Sequence, residues 1–259
     1  MTGLAPQPSP HVQSLARGLA VIEAFDGDHD AMTLSDVARR TGLTRATARR
    51  FLLTLVDLGY MRSDGRLFTL TPQVLRLGHA YLSSMGLPDI AQPHLETLSA
   101  QLSESVSVAV LDGSDIVYVA RVATRRVMTV GISVGTRFPA YATSMGRVLL
   151  AALSARDRST AMSRSDFRAL TDRTITSATT LEKELVRVRD RGFSLVDQEL
   201  EPGLRSLAVP LLGAAGAVVA ALNVSTQVRP VNGDLVATHL PALQRAAEAI
   251  GHDLRSAHY

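Results

Sequence analysis

Cysteine is absent from the 259-residue chain, and its absence excludes several kinds of chemistry. Without cysteine the protein has no disulfide, no thiolate-bound metal and no cysteine nucleophile. A chain without disulfides suits a reducing compartment, so we expect a cytoplasmic protein.

Lysine and net charge are also scarce. Lys183 is the only lysine, so almost every positive side chain is an arginine, and the formal net charge is only +3. Any binding to nucleic acid must then come from local clusters and not from the charge of the whole molecule. Arginine suits that role, because its planar fork matches phosphates and base edges.

Long apolar runs are missing as well. Residues 214–222 form an apolar run that is too short to span a membrane, so we expect no membrane partner. Residues 1–10 lack the basic start and apolar core of a signal peptide, and we expect them to be disordered. Hydrophobic residues nevertheless make up 46% of the chain, and its length suits two domains of ordinary size.

Residues 33–69 carry the clearest pattern in the chain. A first helix has apolar positions at helical spacing and ends at Gly42, and Thr44 then caps a second helix. Two short helices around a glycine-centred turn, the second one basic, predict a helix-turn-helix. Asp64-Gly65 between two β-prone runs predicts a hairpin directly after it. Together these elements predict a winged helix-turn-helix.

This motif predicts binding to double-stranded DNA. The second helix should face the major groove or its phosphates, and the wing arginines should reach the backbone or the minor groove. The candidate DNA-binding residues are Thr33, Ser35, Thr44, Arg45, Thr47, Arg49, Arg50, Arg62 and Arg66. The alternative is a helical-bundle fragment with a surface hairpin, whose arginines only face solvent.

A helix predicted at residues 72–86 separates the winged motif from the rest of the chain. Pro72 opens it, Gly86 ends it, and its apolar positions form one stripe. A single amphipathic helix must bury such a stripe against something. We therefore expect a linker helix, a contact with a second copy of the chain, or both.

Residues 87–259 show two groups of three β-prone runs with helices between them. The expected strands are 105–111, 116–122, 127–134, 193–198, 204–212 and 217–226. The other expected helices are 13–25 with Ser14 as its cap, 90–102, 143–152, 157–168, 180–191 and 232–257 with Asn232 as its cap. Short turns between strands predict an α+β domain with a mostly antiparallel sheet covered by helices.

No cofactor is predicted. The glycine-containing loops 131–135 and 213–216 lack both the Lys-Ser/Thr of a phosphate loop and the full dinucleotide fingerprint. The seven histidines share no metal-ligand spacing; they are His11, His29, His79, His94, His239, His252 and His258. Asp197, Glu199 and Glu201 alternate, which fits either a metal-binding carboxylate or a solvated strand end.

Residues 142–146 offer an enzyme alternative. This stretch is one residue short of a nucleophile elbow, and Ser144, Asp197 and His239 follow in the order of a serine hydrolase. A hydrolase of that class needs a parallel sheet, however, and its histidine lies in a loop, whereas His239 falls in a predicted helix. A hydrolase fused to a DNA-binding module is therefore the alternative from another functional class.

A small-molecule pocket explains the same residues better. Ser144 lies where a loop enters a helix, whose free N–H groups attract carboxylates, and Arg137 and Arg147 are near enough in sequence to assist. Asn223 and Ser225 share one face of the last strand, which suits polar groups that line a cavity. Two alternatives remain open: these residues are hydrogen-bonded core or surface polars, or the protein binds DNA without any ligand.

Long strings of residues resemble the IclR family of bacterial transcription regulators. They are Val12-Gln-Ser-Leu-Ala-Arg-Gly-Leu, the winged motif, Phe138-Pro-Ala-Tyr-Ala-Thr-Ser-Met-Gly-Arg-Val-Leu-Leu-Ala and Val196-Asp-Gln-Glu-Leu-Glu-Pro-Gly-Leu-Arg-Ser-Leu-Ala-Val-Pro. The resemblance covers residues 11–255. Residues 44–55 and 127–138 further resemble the branch that regulates aromatic-acid catabolism through protocatechuate and β-ketoadipate, the pca regulon.

The resemblance implies a winged DNA-binding domain at residues 11–71, a linker helix at 72–86 and a GAF/profilin-like effector-binding domain at 87–259. It also implies dimers, often tetramers, and no enzyme activity. The positions that match family effector pockets are Val127, Val130, Ser144, Met145, Val196, Leu204, Ser206, Asn223 and Ser225, to which we add Asp197 as a candidate. Ser206 and Asn223 depart from one characterised pattern, so the resemblance does not carry over the identity of the ligand.

Overall fold

The computed structural model describes residues 12–124, 131–213, 215–228 and 234–257, without the side chains of residues 82–85. The chain divides into two compact units between Ser84 and Met85, and each unit is described by itself. Across the described ranges, none of the helices combines the length and the apolar character that crossing a membrane requires.

The first unit is a small helical domain with a three-stranded sheet. Its elements are α1 (Gln13–Glu23), β1 (Ala31–Thr33), α2 (Leu34–Thr41), α3 (Arg45–Asp57), β2 (Met61–Ser63), β3 (Leu67–Leu70) and, after a 3-10 turn at Pro72–Val74, α4 (Leu75–Met85). The strands run antiparallel in the order β1-β3-β2. Val21, Val37 and Leu52, one from each of the first three helices, are fully buried together. This arrangement is the predicted winged helix-turn-helix.

Local signals set the helices of this unit. The Thr33 hydroxyl accepts from the Asp36 N–H at 3.3 Å, while the Asp36 carboxylate accepts from the Thr33 N–H at 3.2 Å, a capping box that begins α2. Gly42 ends α2 at φ +66°, a left-handed conformation that glycine adopts without strain. Thr44 caps α3 by accepting from the Thr47 N–H at 3.2 Å, as predicted.

One prediction in this unit was wrong, and one strand was missed. Ser14 does not cap α1, since the helix begins at Gln13 behind Val12, and no side chain caps it. Strand β1 was missed, because three residues are too short to show an alternating pattern. It exists through its pairing with β3, in which Met32 lies opposite Phe68.

The second unit is an α+β domain around one six-stranded sheet. Its elements are α5 (Leu87–Leu102), β4 (Ser105–Asp112), β5 (Asp115–Val122), β6 (Arg137–Pro139), α6 (Ser144–Ala152), α7 (Ala155–Ser163), α8 (Ala178–Arg191), β7 (Ser194–Asp197), β8 (Leu204–Leu212), β9 (Val218–Gln227) and α9 (Leu235–Ser256). The strand order is β6-β5-β4-β9-β8-β7, and every pair is antiparallel. The predicted antiparallel sheet is confirmed.

Helices cover both faces of this sheet. Helices α6 and α8 pack on the face that carries Ala109, Tyr118, Ala208 and Ala221. Residues of the opposite parity, such as Leu222 and Val224, are fully buried as well. Helices α5 and α9, which pack against each other and against the strands, cover that second face.

Several boundaries differ from prediction, and three of them concern residues that matter for the site or for a predicted cap. The third strand is β6 and not 127–134: residues 131–134 form a loop, where the Gly135 N–H bonds the Tyr118 carbonyl at 2.8 Å, and residues 125–130 lie outside the described ranges. Helix α7 ends at Ser163, five residues before its predicted end. Helix α9 is capped by Asp234, whose carboxylate accepts from the Val236 N–H at 2.9 Å; the predicted cap, Asn232, lies outside the described ranges.

Candidate functional sites

The outer surface of α3 carries arginines without acidic partners. Arg45, Arg49 and Arg50 are exposed, and within the part of the chain that the structure describes their side chains form no ion pair or hydrogen bond. On the neighbouring α2, by contrast, Arg39 pairs with Asp36 at 2.7 Å, and Arg40 also has an acidic partner. The charge of α3 is therefore available to an external anion.

Of the remaining candidate DNA-binding side chains, some form hydrogen bonds within the protein and others are exposed. Arg62 donates from Nε to the Thr69 hydroxyl at 2.9 Å, which holds it along the wing. Arg66, in the hairpin connection, is exposed. The Thr33 hydroxyl donates to Asp36 at 2.6 Å as part of the capping box, and Ser35 is exposed beside it.

The start of α6, where we expected an anion site, is tightly packed. The Thr143 hydroxyl accepts from the Gly146 N–H at 3.1 Å and so uses one of the donors expected to face a ligand. A Cβ on Gly146 would lie 2.2 Å from the Ala140 carbonyl oxygen, so only glycine fits this close approach. Ser144 and Met145 are each 1% exposed, and the Ser144 hydroxyl donates to that of Ser206 at 2.9 Å.

The sheet face below α6 carries two rows of small polar residues. In the first row Ser105, Ser225 and Ser206 are direct neighbours on β4, β9 and β8. In the second row Arg121, Ser107 and Asn223 are direct neighbours on β5, β4 and β9. We call this set, together with Ser144 above it, the polar basin. Its serines and Asn223 are all buried.

Within the ranges that the structure describes, two groups in the polar basin lack hydrogen-bond partners. Asn223 donates from Nδ2 to the Ser225 hydroxyl at 3.0 Å, and its Oδ1 has no partner. Arg121 donates from Nη1 to the Ser107 hydroxyl at 3.1 Å, and its buried Nε has none. Buried polar atoms are almost always hydrogen-bonded, so this unsatisfied donor and this unsatisfied acceptor on one face can each bond a ligand or a buried water.

Arg121 also lacks a counter-charge. All 24 Asp and Glu residues lie in the described ranges, and none of them forms an ion pair with Arg121. Burial lowers the pKa of the Arg121 guanidinium from its ordinary value, and interaction with Tyr118 offsets part of that effect. Sequence reasoning missed Arg121, although a lone arginine in the apolar run Ile116–Val122 was a usable signal.

The two arginines that we expected to assist an anion at the start of α6 form ion pairs with acidic residues instead. Arg147 is 2% exposed and forms a two-pronged pair with Glu199, at 2.7 and 2.5 Å, while its Nε donates to the Tyr141 carbonyl. Arg137 pairs with Asp112 at 2.6 Å on the outer edge of the sheet, and this hydrogen bond is the main reason that its pKa is raised. The expectation that either one serves an anion at α6 was wrong.

Asp197 is paired as well. It accepts from Arg205 at 3.1 and 3.2 Å and from Arg173 at 3.3 Å. Burial alone would raise the pKa of its carboxyl, but the hydrogen bonds from Arg205 and Gln198 and the two positive charges hold that pKa below its ordinary value. In the described ranges no group of three His, Cys, Asp or Glu side chains is arranged to hold a metal ion.

The structure describes only some of the apolar residues that we predicted to line the effector pocket. Val196 and Leu204 are buried at 3% and 6% exposure, on the neighbouring strands β7 and β8. Val196 lies directly opposite Ser206 and so borders the polar basin. Val127 and Val130 lie outside the described ranges.

The hydrolase alternative has no geometric support. Ser144 bonds Ser206, and Asp197 bonds arginines. His239 bonds the neighbouring Thr238 hydroxyl through Nδ1 at 2.6 Å, and burial lowers the pKa of its imidazole. None of the hydrogen bonds that a Ser-His-Asp triad requires joins these three described residues.

Comparisons with known proteins give a consistent result. The family described as IclR helix-turn-helix domain matches residues 14–65, and the family described as bacterial transcriptional regulator IclR C-terminal matches residues 79–252. The chain is 49% identical to the Pca regulon regulatory protein of Pseudomonas putida over 243 residues, 93% of this chain and 84% of that protein.

Two solved structures resemble the whole chain. A regulator from Rhodococcus sp. RHA1 is 56% identical, with a TM-score of 0.83 over 95% of this chain and 100% of that one. An IclR homolog from Microbacterium hydrocarbonoxydans, crystallised with 4-hydroxybenzoate, is 27% identical, with a TM-score of 0.83 over 94% of this chain and 99% of that one.

Proposed function

We propose, from the premise that this chain belongs to the IclR family of bacterial transcriptional regulators, that it controls genes of aromatic-acid catabolism in response to a small carboxylic acid. Protocatechuate and β-ketoadipate are the two acids that we consider. The helix-turn-helix domain binds DNA, and residues 87–259 form the domain that receives the acid.

The polar basin is the observation that carries this proposal. In a regulator without a ligand, the unsatisfied Asn223 Oδ1 and the uncompensated charge of Arg121 on one buried sheet face would only reduce the stability of the folded protein. A small acid supplies the missing partners. The bound 4-hydroxybenzoate of the Microbacterium hydrocarbonoxydans homolog is an acid of this kind and supports the assignment.

DNA recognition is assigned to α3 and the wing. Arg45, Arg49 and Arg50 have no intramolecular partner among the described residues, and they lie on the helix that enters the major groove in this motif. An arginine that hydrogen-bonds to a guanine base discriminates between DNA sequences, whereas one that contacts only phosphate strengthens binding to all of them. Arg62 and Arg66 extend the contact through the wing.

Self-association is assigned to the helix at residues 72–86. Leu75, Leu77 and Tyr81 are 73%, 49% and 52% exposed on α4 and its start. Exposed apolar side chains of this kind are covered when two copies pair, and a paired regulator reads a pseudo-palindromic operator. The domain limits that we propose are accordingly 11–71, 72–86 and 87–259.

The acid acts on DNA binding through a difference in affinity. An effector shifts operator occupancy only if it binds the DNA-competent and DNA-incompetent states unequally, and coupling of about 1–3 kcal/mol is typical.

Operator binding tests the DNA assignment. An operator is first selected from random duplexes with the wild-type protein, and affinities are then measured for Arg45→Ala and Arg49→Ala. We expect at least one variant to lose about tenfold or more, since a guanine contact contributes ~1–3 kcal/mol. Arg156→Ala, an exposed arginine of the second unit, is the matched control and should bind normally. Unchanged affinity for both α3 variants would contradict the assignment.

Calorimetry tests the effector assignment. The full chain is titrated with protocatechuate, 4-hydroxybenzoate, benzoate and β-ketoadipate, and operator affinity is then measured with and without each acid that binds. Binding of at least one acid together with a changed operator affinity is the expected result. If none binds at millimolar concentration, the protein is a DNA-binding regulator without this class of effector.

A further inference from the structure

We propose that Arg121 binds the carboxylate of the effector and that Asn223 recognises a hydroxyl at its other end, so that the effector is a hydroxylated aromatic monocarboxylate and not an aliphatic diacid. This inference rests on the proposed function and goes beyond it, because it assigns the two anchoring groups and thereby chooses between the two classes of acid. Arg121 is not among the effector-binding positions that the family resemblance implies.

The carboxylate end follows from charge. Arg121 is half-buried on β5, with its Nε enclosed and unbonded and with no Asp or Glu in ion-pair range. Among the described residues of this unit, the other half-buried and buried arginines do have such a partner, in the pairs Arg147–Glu199, Arg158–Glu182 and Arg205–Asp197. A guanidinium donates from Nε and one terminal nitrogen to two carboxylate oxygens at once. The unbonded Nε of Arg121 lies on such an edge.

The hydroxyl end follows from hydrogen-bond polarity. Asn223 uses its Nδ2 on Ser225 and presents a bare carbonyl oxygen, which needs a donor. A phenolic hydroxyl is a donor. The second carboxylate of a diacid is an acceptor only, and beside Asn223 Oδ1 it would set two acceptors against each other.

The two anchors lie near enough to each other to contact one small ligand. Arg121 on β5 and Asn223 on β9 flank Ser107 on β4 in a single row across the sheet. Neighbouring strands lie about 4.8 Å apart, so the two backbones are about 10 Å apart before their side chains extend toward each other. Arg121 already reaches Ser107 on the strand between them, so both anchors can contact one small ligand that lies over Ser107.

Apolar side chains border this row on the same face. Tyr118 is 4% exposed beside Arg121 and meets the Phe138 ring edge-on at 6.1 Å, and Met145 packs in the same cluster. An aromatic ring finds flat apolar contacts there. A flexible aliphatic chain would also lose conformational freedom on binding.

The test is a matrix of two ligands and three variants, read by calorimetry on the full chain. The ligands are 4-hydroxybenzoate and benzoate, which differ only in the hydroxyl. We expect Arg121→Gln to weaken both by about 10- to 100-fold, because each loses a charge-assisted pair of hydrogen bonds. We expect Asn223→Val to weaken 4-hydroxybenzoate by about tenfold and benzoate by less than about twofold.

Arg137→Gln is the matched control, since Arg137 is an exposed arginine that already has two acidic partners, Asp112 at the end of β4 and Asp115 at the start of β5. It should leave both affinities unchanged. Thermal unfolding without ligand checks the fold: Arg121→Gln should unfold no earlier than wild type, whereas a purely structural arginine would destabilise the fold when removed. Such an early unfolding, with 4-hydroxybenzoate still bound normally, would overturn the proposal.

Two other outcomes separate this inference from the function on which it rests. If acids bind the wild type but Arg121→Gln stays within twofold of it, the inference falls and the proposed function stands. If β-ketoadipate binds more tightly than both protocatechuate and 4-hydroxybenzoate, this inference is also overturned, while the proposed function still stands. If no acid binds the wild type, the proposed function falls, and the inference falls with it.

Discussion

Arg147 and Arg121 lie on the same side of one sheet and differ in how their charge is compensated. Arg147 is almost fully buried, and Glu199, the Tyr141 carbonyl and the Ile175 N–H complete one hydrogen-bonded network around the pair. Arg121 has one serine hydroxyl and no acid. Burying either guanidinium carries a desolvation penalty, but only that of Arg147 is offset by partners within the chain.

The difference separates a structural role from a binding role. Arg147 joins α6 to the segments around residues 175 and 199, so removing it leaves Glu199 buried without a partner. Removing Arg121 leaves no carboxylate behind, because none was paired with it. The two residues should therefore respond in opposite ways to the same substitution, and the following predictions use that contrast.

The largest effect is expected for Arg147→Met. Removing one member of a buried ion pair typically lowers the free energy of unfolding by ~3–5 kcal/mol. Urea unfolding followed by circular dichroism measures it. Arg137→Met, which breaks an exposed pair, is the control and should cost no more than about 1 kcal/mol. Equal losses in the two variants would contradict the structural role of Arg147.

A smaller effect, of opposite sign, is expected for Arg121→Met. Replacing an uncompensated half-buried charge with an apolar side chain of similar length should leave ligand-free stability unchanged or raise it by up to about 2 kcal/mol. Ligand-free urea unfolding checks this directly. A loss as large as that of Arg147→Met would remove the contrast between the two arginines.

The smallest effect concerns pH and the Asp197–Arg205 pair. The pKa of the Asp197 carboxyl is held below its ordinary value of 3.8 in the folded protein, so its contribution is present above that pH and is lost as pH falls through the folded-state pKa. The side chain of Asp197 is 35% exposed, so solvent reduces the effect to below about 1 kcal/mol.

Arg205→Gln should weaken this contribution. Its stability deficit relative to wild type is expected to shrink as the pH of urea unfolding experiments is lowered from 5 toward 2. A deficit that stays constant over that range would show that the pair does not titrate as described.

Local chemistry made the first unit predictable. Gly42 and Thr44 mark the end of one helix and the start of the next through their own backbone and side-chain preferences, and the Asp64-Gly65 turn sets the wing. Strand β8 was predicted at its observed bounds, because its apolar run is long and flanked by turns.

The binding residues were less predictable, because their partners are distant in sequence. Glu199 lies 52 positions after Arg147, so the sequence pattern presented Arg147 as a free cation beside a helix start. Arg121 faces Asn223 only through the strand order β5-β4-β9, which the sequence pattern did not specify. Serines and Asn223 on one strand face were visible as a pattern, whereas the missing counter-charge became visible only in the folded chain.

A crystal structure of the full chain with 4-hydroxybenzoate would show whether Arg121 and Asn223 hold the ligand. We expect a carboxylate oxygen about 2.7–2.9 Å from Arg121 Nε, and the phenolic oxygen within hydrogen-bond distance of Asn223 Oδ1. A ligand whose carboxylate lies against the start of α6, with Arg121 still unbonded, would contradict it.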